Sequence, residues 1–310
     1  MLISENQAEL LSKTPKGNTL IYHAIEAIVV DSLSGLMSGN ALDALVSMPS
    51  ERRDKWATYP VSALEGLAKL KKINDLDIIL LAGQSGTGKT YSMGSLFIDF
   101  EKEERKVQEI TLDNGTVKKA IKNIIYLNPD NKPPTFLGSD FVYRNRGLNQ
   151  PEVGYIINTE EDFKWFDEIA RQLNLIQKQN TKEKLVTIKD PYREDVFHVF
   201  FWASKPTLIL LAHLIEEGIY TPGKNPQRIG TNHRVNFFGN VLSKMDFEGN
   251  FNYVVYSVYN NGYKYLLHRN NNNTIRLPKL EYGEMYMDNN MESLLKYIRN
   301  TTKIKTTFLL

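Results

Sequence analysis

Cysteine is absent from the 310 residues, which excludes a disulfide framework, a thiolate metal site and a thiol nucleophile. Histidine is scarce too. His23, His198, His213, His233 and His268 show no metal-ligand spacing, so no metal beyond Mg²⁺ is implied. Long hydrophobic runs are missing: Ala24 to Val30 and Pro206 to Ile215 fall well short of the roughly 20 residues that a bilayer-crossing helix needs. The first residues lack the basic-then-apolar order of a secretory leader. The chain therefore reads as cytoplasmic, with no membrane and no disulfide partner. Charge of one sign is lacking as well. A net charge of +2 announces no nucleic acid by itself, although local basic clusters could bind it.

What is present is an ordinary globular composition, 42% apolar and 24% charged, enough for a large core. Within it, Gly83-Gln84-Ser85-Gly86-Thr87-Gly88-Lys89-Thr90 is a complete G-x-x-x-x-G-K-[ST] phosphate-binding loop, the Walker A motif. It directly follows the apolar run Ile78-Ile79-Leu80-Leu81-Ala82. A buried strand that ends in such a turn lets successive backbone N–H groups converge on a phosphate, with Lys89 on the β- and γ-phosphates and the Thr90 hydroxyl on Mg²⁺. A helix over Tyr91 to Phe100 is predicted to aim its positive end at the same anion. The expected nucleotide contacts are thus Gly83 through Tyr91, and the expected cofactors are ATP and Mg²⁺.

Upstream, Ala27-Ile28-Val29-Val30-Asp31-Ser32-Leu33 is an apolar strand ending in an acid, the form of the Walker B motif whose carboxylate serves Mg²⁺. Helical segments over Ala41 to Ile73 would carry the chain across to the phosphate-loop strand. Short strands are expected at Asn123 to Leu127 and Thr207 to Ala212. Residues 131–205 read as a polar, aromatic-rich insertion, with a helix at Thr159 to Leu173. From Phe251 the pattern turns to period two, predicting a β-hairpin around Asn260-Asn261-Gly262. Met291 to Ile298 reads as a closing helix.

Together Ile28-Val29-Val30-Asp31-Ser32, the Tyr-rich hairpin and the segment His268-Arg269-Asn270 with Asn273-Thr274-Ile275-Arg276-Leu277-Pro278 resemble the phage-encoded RecA-like P-loop ATPases of single-strand annealing and recombination. Walker B precedes Walker A here, so the resemblance implies a circular permutation, in one domain spanning 1–310. It also implies a helix-flanked, mainly parallel α/β sheet of RecA type, with Ala27 to Val30 one strand removed from Ile78 to Ala82 and Thr207 to Ala212 between them. If the chain is phage-encoded, its compartment is the host cytoplasm.

The chemistry implied is ATP hydrolysis, in which positioning and charge neutralisation dominate. Lys89, Thr90 and Asp31 would do most of it. By the same resemblance Asp130 is a candidate base or a turn residue, and His213 a γ-phosphate sensor or an ordinary strand-end histidine. Arg269 and Arg276 either reach into a neighbouring subunit's site, in a ring or filament, or are solvated surface residues. Two roles fit. One is recombination, annealing or replication on single-stranded DNA, supported by the basic stretches Lys102 to Lys106, Lys118 to Lys122 and Lys178 to Lys189 near Phe163, Trp165 and Phe166. Interleaved glutamates make solvated faces the plainer account of those stretches. The other is an ATPase that switches protein contacts in phage packaging, in the virion or in regulation without touching DNA.

Overall fold

The run Thr19–Val30, rich in isoleucine, valine and alanine, forms a strand buried over its last ten residues, and the molecule is assembled around it. The computed structural model describes residues 11–13, 16–30, 77–102, 104–112, 114–127, 155–157, 185–189, 194–203, 207–235, 251–269, 273–278 and 285–307. In chain order, the first half gives β1 (Leu11–Lys13), β2 (Thr19–Val30), β3 (Asp77–Gly83), helix α1 (Lys89–Met93), a 3-10 turn (Gly94–Leu96), β4 (Ile98–Asp99), β5 (Glu104–Arg105), β6 (Val107–Thr111) and β7 (Val117–Leu127). The second half gives β8 (Tyr155–Ile157), β9 (Val186–Lys189), β10 (Val196–Trp202), β11 (Thr207–Tyr220), β12 (Arg228–Val235), β13 (Tyr253–Tyr259), β14 (Tyr263–Leu266), β15 (Tyr286–Asp288) and α2 (Met291–Thr307). All but the β4–β5 ribbon join one 13-stranded sheet.

At the centre, β8, β7, β2, β11, β3 and β13 run parallel in that order. The expected neighbours are in place: Leu208–Leu210 of β11 pair with Ile28–Val30 on one side and with Ile78–Leu80 on the other. β2 carries different partners along its length. One edge takes β1 and then β7; the opposite edge takes β10 along Thr19–Ile25 and β11 along Ile28–Val30. The handover coincides with a β-bulge at Glu26, whose carboxylate pairs with Lys122 at 2.8 Å.

The helix-flanked, mainly parallel α/β fold expected from the RecA resemblance is not what forms. Among the described residues the chain is mostly strand, in a curled mixed sheet with only two helices. Antiparallel strands β1, β6, β9, β12, β14 and β15 extend the parallel centre on its margins. The physical reason lies in the connections. The predicted helix Tyr91 to Phe100 stops at Met93, passes through a single 3-10 turn at Gly94–Leu96, and gives way to Ile98–Asp99 in β4. Asn114 and Gly115, the latter at φ 78°, then turn β6 back into β7 as a hairpin, so no crossover helix is needed there. β11 likewise runs on past Ala212 to Tyr220 and folds back as β12. Val186–Lys189 and Val196–Trp202, within the span read as an insertion, are two strands of the main sheet. The helices expected at 41–73 and 159–173 lie outside the described residues. The closing helix is present and longer than expected.

One face of the sheet is helix-covered. Ala27, Val29, Ile79, Leu81, Ile209, Leu211 and Val255 pack there against Met93, Leu96 and Phe97 after the phosphate loop and against Met291, Leu294, Leu295 and Ile298 of α2. Ser95 links the two helical segments, its hydroxyl accepting from Met291 N–H at 2.9 Å. Lys106 reinforces the link by donating to Ser95 O and to Glu292, both at 2.6 Å.

A buried polar chain crosses the β2, β7 and β10 strands. Arg105 donates to Asn123 Oδ1, Asn123 Nδ2 meets His23 Nδ1 at 3.1 Å, and His23 Nε2 meets His198 Nδ1 at 3.0 Å. Guanidinium only donates, so its bond fixes the Asn123 amide, and the order of donors then places the His23 proton on Nε2. Phe200 stacks on His23, and Phe97 faces Arg105 at 4.6 Å.

Candidate nucleotide-binding site

β3 ends at Gly83, level with His213 of β11 on one side and Ser257 of β13 on the other, while β11 and β13 themselves run on to Tyr220 and Tyr259. Parallel sheets bind ligands in the crevice beyond such carboxyl ends. Here the chain leaves β3, turns through Gln84–Gly88 and enters α1. Gly86 (φ 77°) and Gly88 (φ 82°) occupy the left-handed region, which costs other residues roughly 1–2 kcal/mol. Gly83 is glycine for another reason: a Cβ there would lie 2.5 Å from Ser257 O and 2.6 Å from Thr87 Oγ1.

The loop is held by its own residues and by distant ones. Thr87 Oγ1 donates to Gln84 O at 2.9 Å, Ser257 Oγ donates to Thr87 O at 2.7 Å, and Asn289 Nδ2 donates to Gly88 O at 2.9 Å. The ring of Tyr263 covers Gly88, and the Asn289 N–H donates to Tyr263 O at 3.2 Å. Lys89, only 8% exposed, folds back over the turn and donates from Nζ to Gly83 O at 2.9 Å and Gln84 O at 2.8 Å. An ammonium withdrawn from water this far is costly unless its hydrogen bonds are replaced, and two loop carbonyls replace them here. The result is a cation seated inside a glycine-rich turn whose rim, Gln84–Gly86, is open to solvent.

Around this turn, Thr90 is half-buried, and Tyr91 is exposed and stacked on Phe100 with ring centroids 5.3 Å apart. With only five residues, α1 supplies little of the dipole expected from a longer helix. His213 is half-buried and, two residues on from Leu211, shares the helix-covered face by strand alternation. On the opposite face Gln84 Nε2 donates to Glu216 Oε1 at 2.7 Å, and His233 Nε2 lies 3.5 Å from the same oxygen. This ties the loop to the β11–β12 hairpin. Beneath the loop, burial pushes the Tyr265 hydroxyl above its ordinary pKa.

The remaining expected site residues are not gathered here. Asp31 and Asp130 lie outside the described residues; the last described residue before Asp31, Val30, is level with Leu80 through Leu210. Arg269 is exposed. Arg276 bridges its backbone to Val254 and sends its guanidinium to Phe251 O at 3.2 Å, toward the amino-terminal end of β13 and away from the loop. Among the described residues no group of three His, Asp or Glu could hold a metal ion, which leaves Thr90 as the described member of the expected Mg²⁺ pair. No described helix is long and apolar enough to cross a membrane.

Ser257, Tyr263 and Asn289 are the site residues that sequence reasoning did not find. Ser257 and Asn289 bond to loop residues 170 and 201 positions away, and only pairing in the sheet brings them there. The Asn-Gly turn locates the hairpin that carries Tyr263 but not its neighbour across the sheet. Comparison of the chain with protein-family models, with curated proteins and with solved structures returns no match.

Proposed function

We propose that the chain binds the phosphates of a magnesium nucleoside triphosphate at Gly83–Thr90 and hydrolyses it. The observation that carries this reading is the buried Lys89 ammonium held inside the turn by Gly83 O and Gln84 O. A phosphate chain offers the same cation better acceptors, because charge-assisted bonds are about twice as strong as neutral ones. Lys89 would exchange its carbonyls for β- and γ-phosphate oxygens, and loop N–H groups would take the remaining oxygens. Thr90 fits a Mg²⁺ ligand, with Asp31, beyond the end of β2, as its expected partner. The ion would supply charge neutralisation on those oxygens. His213, level with Gly83, is the described polar side chain nearest in register to the loop from the β2 side. In the reaction, water attacks the γ-phosphorus, the bond to the β–γ bridging oxygen breaks, and nucleoside diphosphate and phosphate leave.

Calorimetric titration with Mg-ATP and a phosphate-release assay test the reading. The parent chain should bind and turn over ATP, and Lys89→Ala should lose both. Equal binding and equal turnover in the variant would refute it.

Of the two roles for such an ATPase, a nucleotide-switched protein contact is favoured by a specific observation. Lys102, Lys106 and Lys122, from the stretches expected to meet DNA, pair at home with Asp99, Glu292 and Glu26. Recombination or annealing on single-stranded DNA rests on the sequence resemblance. Salt-dependent binding to single-stranded DNA with and without ATP separates the two.

A further inference from the structure

The nucleoside end of the ligand has no recognition element in the phosphate loop itself, which addresses phosphate alone. The side of β3 facing β11 and β2 is where Thr90, His213 and Asp31 are expected to attend the γ-phosphate. β13 and β14 lie on the other side of β3, opposite β11, and a nucleoside directed away from the γ-phosphate would meet them.

That side carries an exposed aromatic pair. Tyr259 and Tyr263 face each other across the β13–β14 hairpin, with ring centroids 5.5 Å apart and ring planes at 73°. They are 70% and 48% exposed, so neither is part of the core. Tyr263 is also in direct contact with the loop: a Cβ at Gly88 would lie 3.2–3.3 Å from its ring carbons. Beside it, Asn289 is oriented by donating Nδ2 to Gly88 O. Its other amide atom, Oδ1, is buried, and among the described residues no donor reaches it. Turning the amide over would bring two acceptors together at Gly88, so the bond to Gly88 O fixes which atom is left over.

An exposed π-surface touching the loop is what the base of a nucleoside requires, because a flat base stacks on an aromatic ring. We infer that Tyr263, flanked by Tyr259, is the stacking platform for the base of the bound nucleotide. This rests on the loop being a triphosphate site. Stacking tolerates any base, and purines, with the larger π-face, are held best.

The test compares Mg-ATP with Mg-tripolyphosphate, which carries the phosphates without a nucleoside, by calorimetry on the full chain. The parent should bind ATP roughly 5- to 150-fold more tightly than tripolyphosphate, the range of one aromatic–base stack. Tyr263→Leu should weaken ATP by a larger factor than tripolyphosphate, bringing the two affinities together, and Tyr263→Phe should keep the parent's preference. Tyr259→Leu should show a smaller loss of the same kind. Equal affinity of the parent for both ligands would overturn the platform, as would Tyr263→Leu weakening both alike, which would make Tyr263 a prop for Gly88 only. The underlying phosphate site fails differently: the parent then binds neither ligand, or Lys89→Ala binds tripolyphosphate as well as the parent does.

Discussion

Replacing either left-handed glycine of the loop by alanine separates backbone conformation from packing. Gly86 and Gly88 share nearly the same φ, 77° and 82°, so the left-handed cost of roughly 1–2 kcal/mol applies to both. Nothing lies within 4 Å of a Cβ at Gly86, whereas at Gly88 the Cβ would meet Asn289 Nδ2 at 2.5 Å and the Tyr263 ring at 3.2–3.3 Å. Asn289 must then give up its bond to Gly88 O, a further loss of about 1 kcal/mol. Gly88→Ala should therefore destabilise the ligand-free protein by about 2–3 kcal/mol, and Gly86→Ala by about 1 kcal/mol less. Urea denaturation at constant m reads the difference directly. Adding Asn289→Ala should shrink the Gly88→Ala increment toward the Gly86→Ala value, since the colliding amide is gone and only the Tyr263 contact remains; the double-mutant cycle isolates that coupling. If the two single variants cost the same, the clamp of Asn289 and Tyr263 on the loop is not an energetic feature of the fold.

Asn123→Leu removes the link between Arg105 and His23, while Arg105 keeps its bond to Lys122 O, so it should cost about 1–3 kcal/mol of stability in urea; a cost near zero would mean that the chain is dispensable. Burial pushes the Glu292 carboxyl up, but Lys106 and then Lys296 outweigh it and hold its pKa below the ordinary value of 4.5. A depressed folded pKa adds stability above the unfolded value and loses it as pH falls through the folded one. Glu292→Gln should accordingly be less stable than the parent at pH 7, by about 1 kcal/mol or less given its partial exposure, with the gap closing below about pH 4.5 in thermal melts at several pH values.

The phosphate loop was legible because it is local: eight consecutive residues carry both the turn geometry and the cation. The parallel placement of β2, β11 and β3 was legible as well, since uninterrupted aliphatic runs such as Ile78–Ala82 mark strands buried on both faces. The antiparallel margins were not. β7 begins at Val117, where Lys118, Lys119 and Lys122 break the apolar pattern, and only its last residues read as strand. Lys118 and Lys119 are tolerated because this part of β7 pairs with β6 as a ribbon, and Lys122, beside β2, because its ammonium pairs with Glu26. The predicted helix after the loop failed at Gly94-Ser95, where the serine hydroxyl is committed to α2, nearly two hundred residues away in sequence. Pairings at that range leave no mark in a local pattern, and Ser257 and Asn289 were hidden for the same reason.

The handover along β2 has a consequence for how the molecule comes apart. β10 and β11 follow one another along a single edge of that strand, and β1 and β7 along the other, so each end of β2 belongs to a different set of neighbours. No surface can be drawn that parts the two sets without cutting through β2 itself. β11, paired with Ile28–Val30 of β2, is also the neighbour of β3, so the strand that carries Gly83 is tied through it to the carboxyl end of the spine. The Glu26 bulge is the joint at which both ends of that spine meet.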